Sequence, residues 1–216
     1  MRLSVSIMAH PNRVEQVAHL DRHLGNPGIP VGWDDEGPPS RDPNRTWRTA
    51  RKGWELRDEG ADWHLLLQDD AIANPDLLRV APSALRYVPE NAVVSFYMGT
   101  RRPVPGVWHA LAKKADEQGA AWIVGPMLMW GVALAVPTAR IPAMIEHADR
   151  QYQLADDQRV GRWARSAGLE PWYSWPSLVD HPPDGSLSGH GEGRVARRFA
   201  ERGTVFDWGG PVVRYR

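Results

Sequence analysis

The sequence predicts an α/β fold, a mixed and mostly parallel sheet flanked by helices, in a single domain. Three observations predict it. Across the first hundred residues short apolar runs alternate with helix-length stretches, the order that builds parallel sheets. The 216 residues are 42% hydrophobic and 24% charged, enough for one sizeable core and too apolar for disorder. No linker or internal repeat divides the chain, so residues 1–216 read as one domain with two abutting halves, about 1–100 and about 101–216.

Leu3 to Ala9 (LSVSIMA) is a strand, ended by His10-Pro11-Asn12, where Asn12 is placed to cap a helix carrying Val14, Val17, Ala18 and Leu20. Gly25 to Asp42 is rich in Gly, Pro and Asp around Ile29-Pro30-Val31-Gly32-Trp33, a second short strand running into a loop. Thr46 to Glu59 reads as a helix with Trp47, Ala50, Trp54 and Leu56 inward, stopped by Gly60. The apolar run from Ala61 to Gln68 is a buried strand that ends abruptly on Asp69-Asp70. Asn74-Pro75-Asp76 caps a helix reaching about Tyr87, with proline at its first position.

Val93 to Met98 is a further strand and Trp108 to Gln118 a helix. Trp122 to Val136 is a pair of apolar segments broken at Gly125-Pro126. Ile141 to Arg150 and Gln158 to Ala167 are helical, the latter closed by Gly168, and Trp172 to Val179 is the last strand. The tract Pro182 to Gly193 (PPDGSLSGHGEG) has the composition of a mobile flap.

Composition narrows the chemistry. No stretch approaches the roughly 18 apolar residues of a membrane helix, and Met1-Arg2-Leu3 opens into a strand rather than a leader, so a cytoplasmic protein is expected. Cysteine is absent, which excludes disulfides, thiolate metal sites and a Cys nucleophile and leaves any metal to carboxylates and histidines. The 26 basic and 26 acidic residues cancel, yet only Lys52, Lys113 and Lys114 are lysines, leaving 23 arginines, the planar fork suited to phosphate. Eleven tryptophans offer stacking surface for sugars or bases, although core packing uses the same residue.

Two carboxylate pairs stand out. Asp69-Asp70 sits at the carboxyl end of a buried strand, where open α/β sheets bind ligands, and two like charges there call for a cation or donors. Divalent ions such as Mg²⁺ and Mn²⁺ suit such oxygens; the competing reading is a turn before Asn74. Asp156-Asp157, followed by Gln158-Arg159-Val160-Gly161, is either an ordinary helix start or a base held rigidly enough to take a proton from a bound hydroxyl. His181 precedes the flexible tract and is a late candidate ligand or a structural histidine.

Several signatures are missing. Gly185-Ser186-Leu187-Ser188-Gly189 has leucine where a nucleophilic serine must sit. There is no P-loop, no HExxH and no Gly-x-Gly-x-x-Gly after the first strand.

Together these pieces resemble a GT-A glycosyltransferase, a Rossmann-like fold, across most of the chain and in the right order. The first strand with His10-Pro11-Asn12 looks like its nucleotide-facing start, and the run from Gly60 to Ala71 resembles the strand leading into a DxD-type metal motif. Gly131 to Val136 is similar to the strand behind the acceptor site, and Asp156-Asp157 with Gly161 and Gly168 resembles the later acidic motif of inverting members. One position departs from the pattern: the first residue of the DxD triplet is Gln68.

The resemblance implies Mn²⁺ or Mg²⁺ held by Asp70 and His181, a nucleotide-diphosphate sugar such as a UDP-sugar as donor, and Asp157 as base, or Asp156 if the register differs by one. It places His10, Asn12, Asp34, Asp35, Arg45, Arg51, Asp69, His190 and Arg197 near the donor, with residues 1–100 as the donor half and 101–216 as the acceptor half. Arg45, Arg48 and Arg51 would add phosphate contacts, against the alternative of a solvated helix face. A small, Arg- and Trp-rich enzyme of this kind looks like those carried by bacteriophages. The acceptor is then a hydroxymethylated base such as 5-hydroxymethylcytosine in DNA, or alternatively a protein or surface glycan. Residues 185–216 carry a net charge of +3 that would track a phosphate backbone, with Trp172 or Trp175 stacking on a flipped base. A nucleotidyltransferase and a non-catalytic sugar- or DNA-binding module are the readings from other classes.

Overall fold

The computed structural model describes residues 1–100, 105–183 and 195–215. Its centre is an eight-stranded sheet built from β1 (Leu3–Ala9), β2 (Val31–Trp33), β3 (Trp63–Gln68), β5 (Ala92–Ser95), β6 (Trp122–Val124), β7 (Ala133–Pro137), β8 (Glu170–Ser174) and β10 (Val212–Arg214). The order is β10-β6-β8-β5-β7-β3-β1-β2. β1 pairs in parallel with β2 and β3, β5 with β8 and β10 with β6, whereas β7 runs antiparallel to both β3 and β5, and β6 to β8. The sheet is therefore mixed, as expected. Because β7 lies between β3 and β5, the stretches before and after residue 100 interleave in one sheet.

Strand alternation sends side chains to two helical layers. Leu65 and Leu67 of β3 join Ile7 in a core that packs α1 (Val14–His23) and α3 (Leu77–Leu85) on one face. Leu66 and Met8 point the other way, onto α2 (Pro43–Glu55), α4 (Pro105–Glu117), α5 (Ile141–Asp149) and α6 (Asp156–Ser166). Burial on both faces is why β3 reads as an uninterrupted apolar run. Side chains such as Trp54 and Leu66, buried here, each contribute about 1.5–3 kcal/mol. No helix among the described residues is long and apolar enough to cross a membrane.

The expected elements are present with shifted ends. α2 starts at Pro43 rather than Thr46, because the Asp42 side chain accepts from the Asn44 N–H at 2.9 Å and Pro43 fits the first turn. It ends at Glu55, so Leu56 is exposed instead of inward. The cap after β1 is His10, not Asn12: the His10 ring accepts from the Asn12 N–H and starts a short 3₁₀ turn over Pro11–Arg13. Asn74 accepts from the Asp76 N–H but donates to the carbonyls of Ala200 and Glu201, so α3 begins later, at Leu77, and the amide ties down the C-terminal segment.

The last predicted strand is two strands. β8 stops at Ser174, a cis Trp175–Pro176 bond follows, and β9 (Val179–Asp180) leaves the main sheet to pair antiparallel with a short β4 (Ile72–Ala73). Neither β4 nor β10 is marked by its sequence. Residues 195–200 carry two isolated bridges, Ala196 to Gly99 and Phe199 to Ser177, on either side of a bend.

Candidate functional site

The carboxyl ends of β1 and β3 open into a cleft lined by Ala9, His10, Asp34, Thr46, Asp69 and Asp70 among others, enclosing about 120 Å³. A larger depression of about 940 Å³ lies at the opposite end of β3, around Trp63 and Pro137. Ligands of open α/β sheets bind at the carboxyl ends of the strands, which favours the smaller cleft.

Asp69 and Asp70 face different partners. The Asp69 carboxylate accepts from the His10 backbone N–H at 2.8 Å, which ties the end of β3 to the end of β1. Burial, then the like charge of Asp70, pushes Asp69 up to about 6. Burial also works to raise Asp70, but its His181 contact and the Arg13 guanidinium outweigh this and hold it below the usual carboxylate range. Arg13 reaches both acids, 3.9 Å from Asp69 Oδ1 and 3.7 Å from Asp70 Oδ2.

His181 Nε2 lies 3.3 Å from Asp70 Oδ2. The reason is the β4–β9 ladder, which sets Ile72 opposite Asp180 and so brings the residue after β9 back to the acid before β4. The Asp180 side chain fixes this corner by accepting from the backbone N–H groups of His181 and Ala196, at 2.7 and 2.5 Å. The ring of His181 is oriented by the Pro182 carbonyl, 2.7 Å from Nδ1. A carbonyl only accepts, so Nδ1 carries a proton and Nε2 faces the carboxylate, as a donor when the ring is protonated and as a lone pair when it is neutral.

A protonated ring closes an ion pair with Asp70, and a neutral ring leaves two acceptors that a cation would bridge. Asp70 Oδ1 is also buried with no hydrogen-bond partner. One carboxylate and one imidazole, with a free oxygen beside them, fit a divalent ion that keeps other positions open. No group of three or more His, Asp or Glu placed to hold a metal occurs among the described residues.

The second acidic pair opens α6 as its first two residues, after Ala155 at the cap. Asp156 is buried, and desolvation, then the adjacent Asp157, holds its pKa well above the ordinary range, opposed mainly by backbone N–H groups at the start of α6. Asp157 is half-buried. Gly131 is the crossing point: a Cβ there would meet Asp156 Oδ2 at 3.0 Å, Asp157 Cβ at 3.2 Å and Gln68 Nε2 at 3.4 Å. Gln68, the last residue of β3 beside Asp69, and the second acidic pair therefore approach one another at Gly131.

The remaining candidates divide. His10 and Asp34 line the cleft. The His10 ring accepts from the Asn12 N–H at Nδ1, so Nε2 donates to the Gly37 carbonyl at 3.0 Å, and only its backbone N–H reaches an acid of the site. Asn12 is exposed. Arg45 is corrected from phosphate contact to loop anchor: it is buried, its Nε lies 2.9 and 2.8 Å from the two Asp34 oxygens, and its terminal nitrogens donate to Gly37 and Pro38 carbonyls. Those contacts occupy Asp34 as well.

Asp35 pairs with Lys52 on the surface, and Arg51 turns to Glu55 and Asp149, away from the cleft. Arg48 likewise pairs with Glu36 and Asp42. Arg197 donates to the Thr100 carbonyl, while its Nε is buried without a partner. His190 and nearly all of the 182–193 tract lie outside the described residues. The reading of Trp172 and Trp175 as stacking platforms is overturned: both are 3% exposed and packed in the core. Arg198 and Arg214 pair with Asp116 and Glu170, which removes them from a free phosphate stripe.

Sequence reasoning missed Arg13, Asp180 and the part played by Gln68 and Gly131. Only Gln68 carried a signal, as the departure from the DxD pattern.

No family model matches the chain, and no curated protein does either. Solved structures do match. One is a mutant of the Drosophila β1,4-galactosyltransferase 7 in complex with manganese, UDP-Gal and xylobiose, at 14% identity and a TM-score of 0.41, covering 82% of this chain and 70% of that one. Another is the catalytic domain of the same Drosophila enzyme with xylobiose, at 11% identity and a TM-score of 0.44, covering 89% and 75%.

Proposed function

We propose that the chain is a metal-dependent GT-A glycosyltransferase that moves a sugar from a nucleotide-diphosphate sugar, such as a UDP-sugar, to an acceptor hydroxyl. The observation that carries this reading is the Asp70–His181 pair, 3.3 Å apart and oriented by the Pro182 carbonyl, with Asp70 lining the strand-end cleft. Asp70 and His181 would hold Mn²⁺ or Mg²⁺, which when bound offsets charge on the departing diphosphate.

The chain's own residues supply the rest. A cleft of 120 Å³ is below the range of pockets that enclose a whole small molecule, so a nucleotide sugar would extend from it towards Asp70 and Asp157. Arg13 stands between Asp69 and Asp70 and would keep that acidic end from repelling a diphosphate. Asp157 takes the acceptor proton; Asp156 is buried, which leaves Asp157 as the half-buried acid of the pair. In-line attack opposite the leaving diphosphate would invert the anomeric carbon.

The acceptor is assigned only as a hydroxyl, because the buried tryptophans and paired arginines withdraw the support for DNA. The test is release of UDP from a panel of UDP-sugars with and without Mn²⁺, followed by mass analysis of hydroxymethylcytosine DNA, peptides and simple glycans. Metal-dependent release that disappears in Asp70→Asn supports the proposal. Sugar binding without turnover in any mixture would make the chain a binding module.

A further inference from the structure

α6, which carries Asp157 as its second residue, begins with no side-chain cap, because the residue before it is Ala155. Arg159, one turn into the helix and 2% exposed, holds that start instead. Its Nε donates to the Leu154 carbonyl at 2.8 Å and its Nη1 to the Ala148 carbonyl at 3.0 Å, so it closes the turn between α5 and α6 from within. Its Nη2 leaves the turn to reach Asn44 Oδ1 on α2 at 2.6 Å, and the guanidinium lies over the Trp47 ring, 5.6 Å from the centroid. Asn44 Oδ1 accepts a second time, from the Gln153 backbone N–H at 2.9 Å. Gln153 has a φ of 60°, a left-handed conformation that a side chain disfavours and that the surrounding bonds must maintain.

The same turn of α2 serves the donor side. Arg45, next to Asn44, anchors the loop at Asp34, Gly37 and Pro38, and Thr46 and Thr49 line the cleft. Neighbouring residues of α2 thus hold both the donor wall and the turn that leads into Asp156-Asp157. Asp157 has little slack there, since a Cβ at Gly131 would lie 3.2 Å from its own Cβ.

We infer that Arg159 and Asn44 form a positioning clamp, which sets the start of α6, and with it Asp157, against the α2 wall of the donor cleft. Both act through Asp157 rather than on substrate. A guanidinium spreads its donors over three nitrogens and meets all three acceptors, whereas the compact ammonium of lysine cannot span them. Position 44 needs an oxygen that accepts two N–H groups, a demand that aspartate meets and leucine, of similar size, does not. The catalytic consequence rests on the transferase reading, but the clamp itself is open to measurement without turnover.

The experiment compares Asn44→Leu, Asn44→Asp and Arg159→Lys with wild type, by amide hydrogen exchange and by transfer from a UDP-sugar in the presence of Mn²⁺. In Asn44→Leu the amides of residues 151–158 should exchange about tenfold or more faster, while those of β1 and β3 keep their protection. Its kcat should fall about tenfold or more with donor KM changed less than about twofold, because the base is displaced and the donor cleft is not. Arg159→Lys should behave in the same way. Asn44→Asp should keep wild-type exchange and at least about half of kcat, since its carboxylate still accepts both N–H groups.

Unchanged exchange over residues 151–158 in Asn44→Leu overturns the inference. So does faster exchange with kcat intact, which would make the contact structural only, and so does a loss confined to donor KM or one that Asn44→Asp shares. A wild-type chain that transfers no sugar overturns the functional reading and the catalytic consequence with it, while the exchange data still establish or refute the clamp.

Discussion

Asp70 Oδ2 and His181 Nε2 lie 3.3 Å apart although about half of the chain separates them in sequence, and the Pro182 carbonyl dictates which ring nitrogen faces the acid. An imidazole so oriented is a ligand rather than a donor whenever it is neutral. Replacing either partner should therefore abolish tight Mn²⁺ binding. Asp70→Asn and His181→Ala are expected to weaken Mn²⁺ affinity by roughly a hundredfold or more, read by electron paramagnetic resonance of free Mn²⁺. Unchanged affinity in both variants would remove the pair as the metal site.

Asp157→Asn keeps the size of the side chain and loses its basicity. Transfer is expected to fall by about 10²–10⁴-fold with the melting temperature close to wild type. Full transfer in this variant would return the base assignment to another residue.

Arg45 tests the loop rather than the chemistry. It is buried, with the half-enclosed Asp34 as its charge partner, so Arg45→Ala leaves an acid in a dry corner and frees the Gly37 and Pro38 carbonyls. The expected loss is about 3–5 kcal/mol in urea denaturation. Arg51→Ala, removing the more exposed pairs with Glu55 and Asp149, should cost less than about 1 kcal/mol.

His64 gives a pH dependence independent of the cleft. It is buried in β3 between Ser4 and Ser6, and Ser6, which donates to the Gly53 carbonyl, accepts from the ring. Burial lowers its pKa from 6.5 to about 4. The unfolded chain then binds the proton first, so the stability tied to this neutral ring is complete above about 6.5 and declines as pH falls towards 4. The full penalty below that is about 3 kcal/mol. Comparing unfolding of wild type and His64→Leu at pH 7.5 and pH 4 isolates it: the variant should lose less stability on acidification.

Gly131→Ala probes the crossing of the two acid pairs. Its Cβ would press on Asp156 Oδ2 at 3.0 Å and on Asp157 Cβ at 3.2 Å, tight contacts that the start of α6 relieves by shifting. Displacing Asp157 by a fraction of an ångström should reduce kcat, by up to about a hundredfold, more than it reduces stability. Equal transfer by this variant and wild type would show that the exact seating of α6 does not govern the reaction.

By itself the sequence determined the α/β class, because the periodicity of apolar residues is a local property: β1 is bounded as read, and β3 with its terminal Asp69-Asp70 is plain in the run from Trp63 to Gln68. It also pointed to Asp70, Asp156, Asp157 and His181 as the chemically interesting residues, through residue type and order. Only the tertiary structure decided which of these meet. The two-residue β4–β9 ladder that delivers His181 to Asp70 is too short to leave a periodic signal, and the close approach of Gln68, Gly131 and Asp156 exists only between three separate segments. Burial decided the rest: the same arginine that reads as a phosphate ligand becomes a loop anchor at position 45, and the same tryptophans that suit a stacking surface are core at 172 and 175, because the free energy of a side chain depends on what surrounds it and not on its name.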